Sequence, residues 1–320
     1  MTNPVSRGPQ ALILMLAWRC NASCVHCCWT ALRDAGDHAE WKRDMTVGTV
    51  DAFLGLYGSS RPHVTLCGFG EPMTHPDYAR IASAIASRTG VLSMTTNGSL
   101  LHEHPEILDV PGYLAVSLDS PDADIYEGIR RGLSFSRVIG NMRLAAGRRH
   151  PGRVLQVNMA VIRRNAHQIH ATAALLRDVG FQRLQVLRGL SMDPSGNVIN
   201  GDPLGQILSP SDPVVLEQMA RVRADFPEIV VTDYFASRDG PYATPPGQHC
   251  GLPWTSMEVT TDGHAHPCCR SYETDLGPPA ADPWRGGKMD RLRSQLESFA
   301  VDAAEFGPCS RCTMRGSRRA

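Results

Sequence analysis

Short apolar segments alternate with amphipathic segments along the first 190 residues, and this alternation limits the folds open to the chain. Strands are predicted over 11–17, 63–71, 91–98, 113–119, 154–162 and 181–187. Helices are predicted between them, over 46–56 with Thr46 as N-cap, 76–87, 135–146 and 165–176 with Asn165 as cap. Strands that alternate with helices form parallel β/α units. Six units are fewer than the eight of a closed barrel, so the pattern predicts an α/β fold with an open, partial (β/α)6 TIM-like barrel.

Two further regions follow the predicted barrel. Residues 191–246 are rich in Gly, Pro, Ser and Asp, with one predicted helix over 213–225 and one predicted strand over 228–233. We interpret this region as a bridge that also covers the site. Residues after it carry a predicted β-hairpin over 258–269. The predicted domains are a barrel over 1–190, a bridge or lid over 191–246, and a small C-terminal hairpin and helix domain over 247–320.

Three cysteines follow the first predicted strand in the spacing C-x3-C-x2-C, namely Cys20, Cys24 and Cys27. Three thiolates on one loop can bind three irons of a four-iron, four-sulfur cluster and leave the fourth iron open. An open metal position is typical of a reactive site, whereas a fully ligated metal is typical of a structural one. The alternatives are a structural zinc loop or three cysteines placed by chance.

A second group of cysteines lies near the C-terminus and consists of Cys250, Cys268, Cys309 and Cys312. Four thiolates can ligate a complete auxiliary cluster of the four-iron, four-sulfur type. The alternative is a zinc ion bound by four cysteines, but a zinc ribbon usually has two Cys-x2-Cys pairs and this group has one. The cysteines left without an assignment are Cys28, Cys67 and Cys269.

The composition bears on partners and location. The sequence has 32 Lys and Arg residues against 32 Asp and Glu residues, so its charge gives no reason to expect binding to nucleic acid or to an anionic membrane. No apolar run is long enough to span a membrane, and no signal-peptide pattern precedes the first strand, so we expect a cytoplasmic protein. Ten cysteines in a reducing compartment favour metal or redox chemistry over disulfides.

The cysteine loop and the predicted strand ends resemble those of the radical SAM superfamily. The resemblance implies that the open iron binds S-adenosylmethionine (SAM), and that Phe69, Gly70 and Glu71 form the strand end that engages the methionine amine. His26 stands where relatives usually carry an aromatic residue, and its backbone is expected to meet the adenine. The resemblance also implies that SAM contacts Thr96, Asn97, Ser117, Asp119, Arg130 and Asn158. Of these, Arg130 is expected to lie opposite the methionine carboxylate.

The second cysteine group resembles the twitch domain, the shortened form of the SPASM extension, which holds one auxiliary cluster. The implied cofactors are SAM and two four-iron, four-sulfur clusters, and the implied partner is an external low-potential electron donor of the flavodoxin or ferredoxin type. In such enzymes SAM is cleaved to a 5′-deoxyadenosyl radical that takes a hydrogen atom from the substrate. A non-enzymatic iron–sulfur electron carrier would leave Glu71 and Asp119 unexplained.

Twitch relatives imply two outcomes for the substrate radical. In epimerisation, an unligated cysteine thiol returns a hydrogen atom from the opposite face, and Cys269, or failing it Cys67, is the expected donor. In dehydrogenation, the radical loses a proton and passes an electron to the auxiliary cluster, which leaves a ketone. We favour epimerisation of a small polar metabolite of the amino-sugar or aminocyclitol type, in antibiotic biosynthesis.

Other possibilities concern the substrate and the groups that contact it. A peptide-modifying maturase is a further alternative, although such enzymes often carry an N-terminal leader-binding domain and only nineteen residues precede Cys20. Lone histidines are more often ordinary surface or core residues than functional groups. The candidates for handling substrate or protons are Arg188, His249, His264 and His266.

Overall fold

The structure is a computed structural model that describes residues 7–27, 29–30, 39–189, 205–235 and 248–312. Its strands are β1 (Ala11–Met15), β2 (Ser23–Cys24), β3 (His63–Cys67), β4 (Leu92–Thr96), β5 (Gly112–Ser117), β6 (Arg130–Arg131), β7 (Arg153–Val161), β8 (Arg183–Arg188), β9 (Val230–Tyr234), β10 (Ser256–Val259) and β11 (Ala265–His266). Its α-helices are α1 (Val47–Tyr57), α2 (Tyr78–Thr89), α3 (Ala123–Ile129), α4 (Phe135–Arg148), α5 (Ile169–Val179), α6 (Pro213–Asp225), α7 (Leu252–Thr255), α8 (Gly287–Glu297) and α9 (Gly307–Arg311).

One sheet of nine strands carries the fold, in the order β11-β10-β1-β3-β4-β5-β7-β8-β9. The six predicted strands are confirmed as β1, β3, β4, β5, β7 and β8, which are successive neighbours and run parallel. Among the described residues, the sheet ends at β9 on one side and at β11 on the other. The predicted α/β fold with an open, partial barrel is therefore confirmed.

The sheet is wider than six strands because both of its edges are extended. The strand predicted in the bridge forms β9, which pairs in parallel with β8. The first strand of the C-terminal hairpin, β10, pairs in parallel with β1, and β11 returns antiparallel to β10. An unpaired sheet edge exposes backbone N–H and C=O groups, and these additional strands satisfy them on both sides.

Caps and turns explain where two of the helices begin. Thr46 Oγ1 accepts a hydrogen bond from Thr49 N at 3.1 Å, so the predicted N-cap of α1 is confirmed. The predicted capping role of the Asn165 side chain is wrong, because its Nδ2 donates instead to Asp119 O and its Oδ1 accepts from Ile162 N. A short 3-10 turn follows Asn165, and α5 begins after this turn, at Ile169.

The two faces of the sheet differ in burial. In β1, Leu12 and Leu14 are fully buried, and so are Val64 and Leu66 of β3. These positions join the main hydrophobic core, into which residues of the surrounding helices pack. The residues that alternate with Val64 and Leu66 in β3, such as Thr65 and Cys67, are half-buried and lie on the other face, because successive strand residues alternate. The loops that follow the parallel strands gather at the carboxyl edge of the sheet, where a barrel carries its site.

Some described elements had no counterpart in the predictions. The two-residue strands β2 and β6 form a separate small sheet, and α3 leads directly into β6. In the C-terminal region α8 buries Leu292, Leu296 and Arg293. Arg293 donates to Pro253 O and Trp284 O and packs on the Trp284 ring, which ties α8 to the segment before β10. Within the described residues, no helix combines the length and apolar character that crossing a membrane requires.

Candidate active site

The loop that carries the first three cysteines follows β1 directly, at the carboxyl edge of the sheet. Cys20, Cys24 and Cys27 are all half-buried. Burial raises the pKa of the Cys24 thiol to about 11, Arg130 opposes this increase, and the neighbouring charges of Cys27 and Cys20 add to it. The three thiols are therefore close enough to interact.

The arrangement of these thiols bears on which metal group they suit. Among the described residues, no three Cys, His, Asp or Glu side chains converge on a point where a single metal ion would sit. A cubane cluster needs no such convergence, since each cysteine binds a different iron. Three soft thiolate donors on one short loop fit a four-iron, four-sulfur cluster with one open iron.

The turn after β3 holds the start of the cysteine loop. Glu71 N donates to Arg19 O at 2.9 Å, and Thr74 Oγ1 donates to the same oxygen at 3.1 Å. A Cβ atom at Gly70 would lie 1.9 Å from Arg19 O and 2.7 Å from Ala17 O. The close backbone approach that Gly70 permits is therefore, in this structure, an approach to the residues just before Cys20.

The Glu71 carboxylate joins the ends of β3 and β4. It is 3% exposed, and it accepts hydrogen bonds from Thr96 Oγ1 at 2.7 Å, Asn97 N at 2.7 Å and Met73 N at 3.3 Å. Burial raises its pKa, while these hydrogen bonds oppose the increase. A carboxylate has about four acceptor sites, so one remains for a further donor such as an ammonium group. The expected contact with the methionine amine stays a prediction.

The turn after β4 holds the middle of the loop. Asn97 Nδ2 donates to Asn21 Oδ1 at 2.8 Å, and Asn21 Nδ2 donates to Ser99 Oγ at 2.8 Å. Ser99 closes the ring by donating from both N and Oγ to Asn97 Oδ1. Asn21 lies one residue after Cys20, so this network fixes the loop between the first two cysteines.

Arg130 and Asp119 form an ion pair beside Cys24. Asp119 is fully buried, and its Oδ2 lies 2.7 Å from Arg130 Nε. Asp119 Oδ1 accepts from Arg130 Nη2 at 3.1 Å and from Ala160 N at 2.9 Å. His26 Nε2 lies 3.7 Å from Asp119 Oδ2, but burial lowers the His26 pKa despite that carboxylate, so the ring is neutral at pH 7. The expected contact of Arg130 with a methionine carboxylate stays a prediction.

The remaining predicted contacts spread along the carboxyl edge. Ser117 and Asn158 are opposite each other in β5 and β7, and Asn158 Oδ1 accepts from Gln156 Nε2 at 2.8 Å. Arg188 ends β8, so it lies on the same edge. The structure therefore gathers these three residues on the edge that carries the cysteine loop.

The three candidate histidines are not brought together. His249 packs against the Trp254 ring, with ring centroids 4.4 Å apart. His264 Nδ1 lies 2.8 Å from Asp275 Oδ2 on a partly exposed turn. His266 is buried, and its Nε2 lies 3.1 Å from Thr260 Oγ1. Each contact is what an ordinary packed or surface histidine makes.

An aromatic group connects the cysteine loop with the C-terminal hairpin. Phe69, which stands where many relatives carry Gly, is 2% exposed, and its ring lies 4.9 Å from Trp41 and 4.2 Å from Trp29. Trp18 contacts Phe69 from the cysteine loop at 5.4 Å, and Tyr272 contacts it from beyond β11 at 5.8 Å. The Phe69 side chain therefore packs two parts of the site together.

The four C-terminal cysteines also lie within reach of one another. Burial raises the pKa of Cys309 to about 11, and the charges of Cys312 and Cys250 add to the increase. Burial likewise raises the pKa of Cys268, to which Cys309 contributes. These cysteines come from the segment before α7, the end of the hairpin, and α9. Four thiols brought together from distant segments fit an auxiliary cluster, and that cluster stays a prediction.

Cys269 and Cys67 belong to a further group that includes Glu258 and Tyr272. Cys269 is an exposed residue, but burial of its thiol by the surrounding protein raises the pKa to about 12. The charges of Glu258 and Cys269 both raise the pKa of Cys67. Tyr272 Oη donates to Glu258 Oε2 at 2.8 Å. Cys28 lies outside the described residues.

Glu258 was missed by the sequence reasoning. Burial raises its pKa to about 7, while hydrogen bonds from Tyr272 and from the backbone and thiol of Cys269 oppose the increase. A signal was present, because a carboxylate in the middle of a buried strand is rare unless it has partners. The hairpin pattern alone does not indicate which face of the strand Glu258 occupies.

Comparisons with known proteins assign the class. The sequence model described as the radical SAM superfamily matches residues 18–176, and the chain belongs to that superfamily through this segment. Membership of this superfamily implies an enzyme that uses SAM and a four-iron, four-sulfur cluster as cofactors.

Two curated relatives resemble the chain in sequence. The AdoMet-dependent heme synthase of Methanosarcina barkeri (strain Fusaro / DSM 804) is 27% identical over 183 residues, which are 55% of this chain and 49% of that protein. The antilisterial bacteriocin subtilosin biosynthesis protein AlbA of Bacillus subtilis (strain 168) is 22% identical over 324 residues, 94% of this chain and 66% of that protein. The chain thus spans about half the length of the first relative and about two thirds of the length of the second.

Two solved structures share the fold. Native anSMEcpe with bound AdoMet has a TM-score of 0.68 at 17% identity, over 95% of this chain and 87% of that chain. Streptococcus suis SuiB bound to S-adenosylmethionine has a TM-score of 0.66 at 15% identity, over 96% of this chain and 71% of that chain. Both alignments extend beyond the barrel into the C-terminal region.

Proposed function

We propose that this radical SAM enzyme inverts a carbon stereocentre of its substrate, and that the Cys269 thiol donates the hydrogen atom that completes the inversion. The observation that carries this proposal is the placement of Cys269. The residue is exposed to solvent, while its thiol is hydrogen-bonded to the buried Glu258 and lies next to Cys67. Cys269 adjoins the four cysteines assigned to the auxiliary cluster, because its charge raises the pKa of Cys268. With Cys250, Cys268, Cys309 and Cys312 assigned as the four ligands, this proposal leaves Cys269 as the hydrogen donor.

The chain's own residues supply the setting for this reaction. When bound, the reduced cluster supplies the electron that cleaves SAM and generates the radical that abstracts hydrogen. The cysteine loop is held by Glu71, Asn97 and Arg130, which fixes the position of its thiols. The aromatic group around Phe69 fills the space between the loop and the hairpin and excludes water from it.

The Cys269 thiol returns the hydrogen atom to the substrate radical in this proposal. The S–H bond of Cys269 breaks, a C–H bond forms on the face of the carbon opposite to the abstraction, and a thiyl radical remains. One electron from an external donor of the flavodoxin or ferredoxin type and one proton restore the thiol. Because burial raises the Glu258 pKa to about 7, this carboxyl group holds a proton part of the time at neutral pH and lies beside the thiol.

Dehydrogenation is the alternative outcome. It requires the substrate radical to lose a proton and one electron to the auxiliary site, and it makes no use of a thiol donor. Glu258 would then be positioned to accept the proton. The two reactions differ in product mass, so one experiment separates them.

The substrate belongs to one of two classes. A small amino sugar or aminocyclitol is the class implied by the resemblance to twitch relatives. A peptide is favoured by a specific observation, which is that AlbA, a bacteriocin biosynthesis protein, resembles 94% of this chain. SuiB has also been crystallised with its precursor peptide SuiA, with a TM-score of 0.64 to this chain. A peptide epimerase would combine the thiol chemistry of this site with the substrate class of these proteins.

The experiment uses the anaerobically reconstituted protein with SAM and reductant in D2O, against aminocyclitol glycosides and peptides. Epimerisation predicts a product one mass unit heavier, with deuterium on a non-exchanging carbon, and 5′-deoxyadenosine in step with it. Dehydrogenation predicts a product two mass units lighter without fixed deuterium, which would refute the proposal.

Matched variants identify the donor. Cys269→Ser keeps the shape and the hydrogen bond to Glu258, but its O–H bond is too strong to give a hydrogen atom to a carbon radical. We expect this variant to form 5′-deoxyadenosine without the inverted product, while Cys67→Ser retains the product. Deuterium-labelled product from the double variant would exclude both thiols as the source.

A further inference from the structure

The backbone places Arg130 directly opposite Cys24. β2 and β6 are antiparallel, with Cys24 opposite Arg130 and Ser23 opposite Arg131. Val25 N donates to Ile129 O at 3.0 Å, which continues the pairing by one residue. Residues directly opposite each other in an antiparallel pair project to the same face. The side chains of Cys24 and Arg130 therefore share one face, and Arg131 lies on the other.

The guanidinium group is aimed by a buried carboxylate. Asp119 contacts Arg130 through Nε at 2.7 Å and through Nη2 at 3.1 Å, and Asp119 is itself held by Ala160 N. The third nitrogen, Nη1, donates to Cys24 Sγ at 3.8 Å. Because the guanidinium is a rigid planar fork, the two contacts with Asp119 determine where Nη1 points. Cys24 thus faces a donor whose position the fold has fixed.

A hydrogen bond to a cysteine ligand of an iron–sulfur cluster affects its reduction potential. Reduction adds negative charge that is shared by the ligand sulfurs, and an N–H donor stabilises that charge. The charges of Arg130 and Asp119 cancel as a pair. The hydrogen bond, more than net charge, is therefore the means by which Arg130 acts on Cys24.

We propose that Arg130 is a positioning residue that donates a hydrogen bond to the Cys24 sulfur in the loaded enzyme and so raises the reduction potential of the cluster. The proposal rests on the assignment of Cys24 as a cluster ligand. It gives the Asp119–Arg130 pair a role toward the protein's own cysteine, independent of any contact with SAM.

The test is a redox titration followed by electron paramagnetic resonance, on reconstituted full-length protein without SAM or substrate. The main variant combines Asp119→Asn with Arg130→Met, which removes the donor, keeps the side-chain sizes and leaves the net charge unchanged. We expect the equilibrium constant for reduction to fall about tenfold, which for one electron is a potential lower by about 59 mV. A constant within twofold of the wild-type value would overturn the proposal.

Three further variants separate the causes. Arg131→Met, the matched control on the opposite face, is expected to leave the potential unchanged. Arg130→Lys keeps the charge, but a lysine cannot reach Asp119 and Cys24 together. We therefore expect the same decrease in reduction potential as in the double variant. A wild-type potential in Arg130→Lys would refute the hydrogen-bond mechanism. Cys24→Ala is expected to lose the cluster, measured as iron and sulfide per chain. A cluster that persists in Cys24→Ala would refute the ligand assignment itself.

Discussion

Gly70→Ala is expected to displace the cysteine loop by steric clash alone. The added Cβ would lie 1.9 Å from Arg19 O, a backbone atom that cannot rotate away. Such contacts are essentially never shorter than 3.0 Å, so the turn after β3 and the segment before Cys20 must separate by about 1 Å. The clash involves only the protein's own backbone, so it is present without SAM or a cluster.

The magnitude follows from the contacts that this separation breaks. Arg19 O accepts from Glu71 N and from Thr74 Oγ1, at 2.9 and 3.1 Å. Each such hydrogen bond contributes about 0.5–1.5 kcal/mol net. Strain from overpacking adds about 1–3 kcal/mol. The free energy of unfolding of the metal-free protein should therefore fall by about 2–6 kcal/mol.

The assay is urea unfolding of the metal-free protein, together with iron per chain after anaerobic reconstitution. Gly55→Ala is the matched control, because a Cβ there would meet nothing within 4 Å and alanine favours the helix by about 0.5–1 kcal/mol. We expect Gly55→Ala to be at least as stable as the wild type. If Gly70→Ala unfolds at the wild-type midpoint and binds as much iron, the packing explanation for this glycine is wrong.

Three smaller predictions concern stability measured by urea unfolding. Thr46→Ala removes the cap of α1 and should cost about 1 kcal/mol. Arg153→Met should cost about 3 kcal/mol or more, because the buried guanidinium donates to three backbone carbonyls. The pKa of Glu258 is raised from 4.5 to about 7 on folding, so the folded state binds its proton more tightly and stability falls as pH rises between these values. In the wild type this proton contributes a decrease of up to about 3 kcal/mol in the free energy of unfolding, and Glu258→Gln should lack that decrease. An equal pH dependence in both proteins would contradict this prediction.

The barrel strands were predictable because their signal is local. Each of the six predicted strands overlaps an observed one, and α6 was predicted with its observed bounds, Pro213–Asp225. Five of the predicted strands extended past the observed carboxyl ends, by one to four residues, whereas β8 ends one residue beyond its prediction. In β3, for example, pairing ends at Cys67 and the chain turns at Gly68, whose φ is +123°.

Pairing between distant segments was not predictable in the same way. Nothing in the local pattern of 230–234 or 256–259 says that they extend the two edges of one sheet. The small sheet of β2 and β6 is harder still, because two residues carry no periodic signal. Such pairs form because the rest of the fold brings them together.

In the candidate site, too, local features were predictable and contacts between distant segments were not. The placement of Cys20, Cys24 and Cys27 on one loop was predictable, because their spacing is a property of a short segment, and their role as metal ligands stays a prediction. Glu71, Asn97 and Arg130, which hold the cysteine loop, were predicted as SAM contacts through the resemblance. Their contacts with other residues of the chain were not predicted. Glu258 was overlooked because the function of a buried carboxylate depends on Tyr272 and Cys269, which only the folded hairpin places beside it.

The contacts around the loop also change how variants at the expected SAM contacts should be interpreted. Glu71 binds Thr96 and Asn97, and Asn97 in turn binds Asn21 in the cysteine loop. A Glu71→Gln variant therefore weakens the loop support and any contact with the methionine amine at the same time. Loss of loop support lowers stability and iron content in the absence of SAM, whereas loss of the amine contact changes only SAM binding. Measuring iron before SAM is added therefore assigns the effect to one cause, and the same order of measurement applies to Asn97 and Asp119.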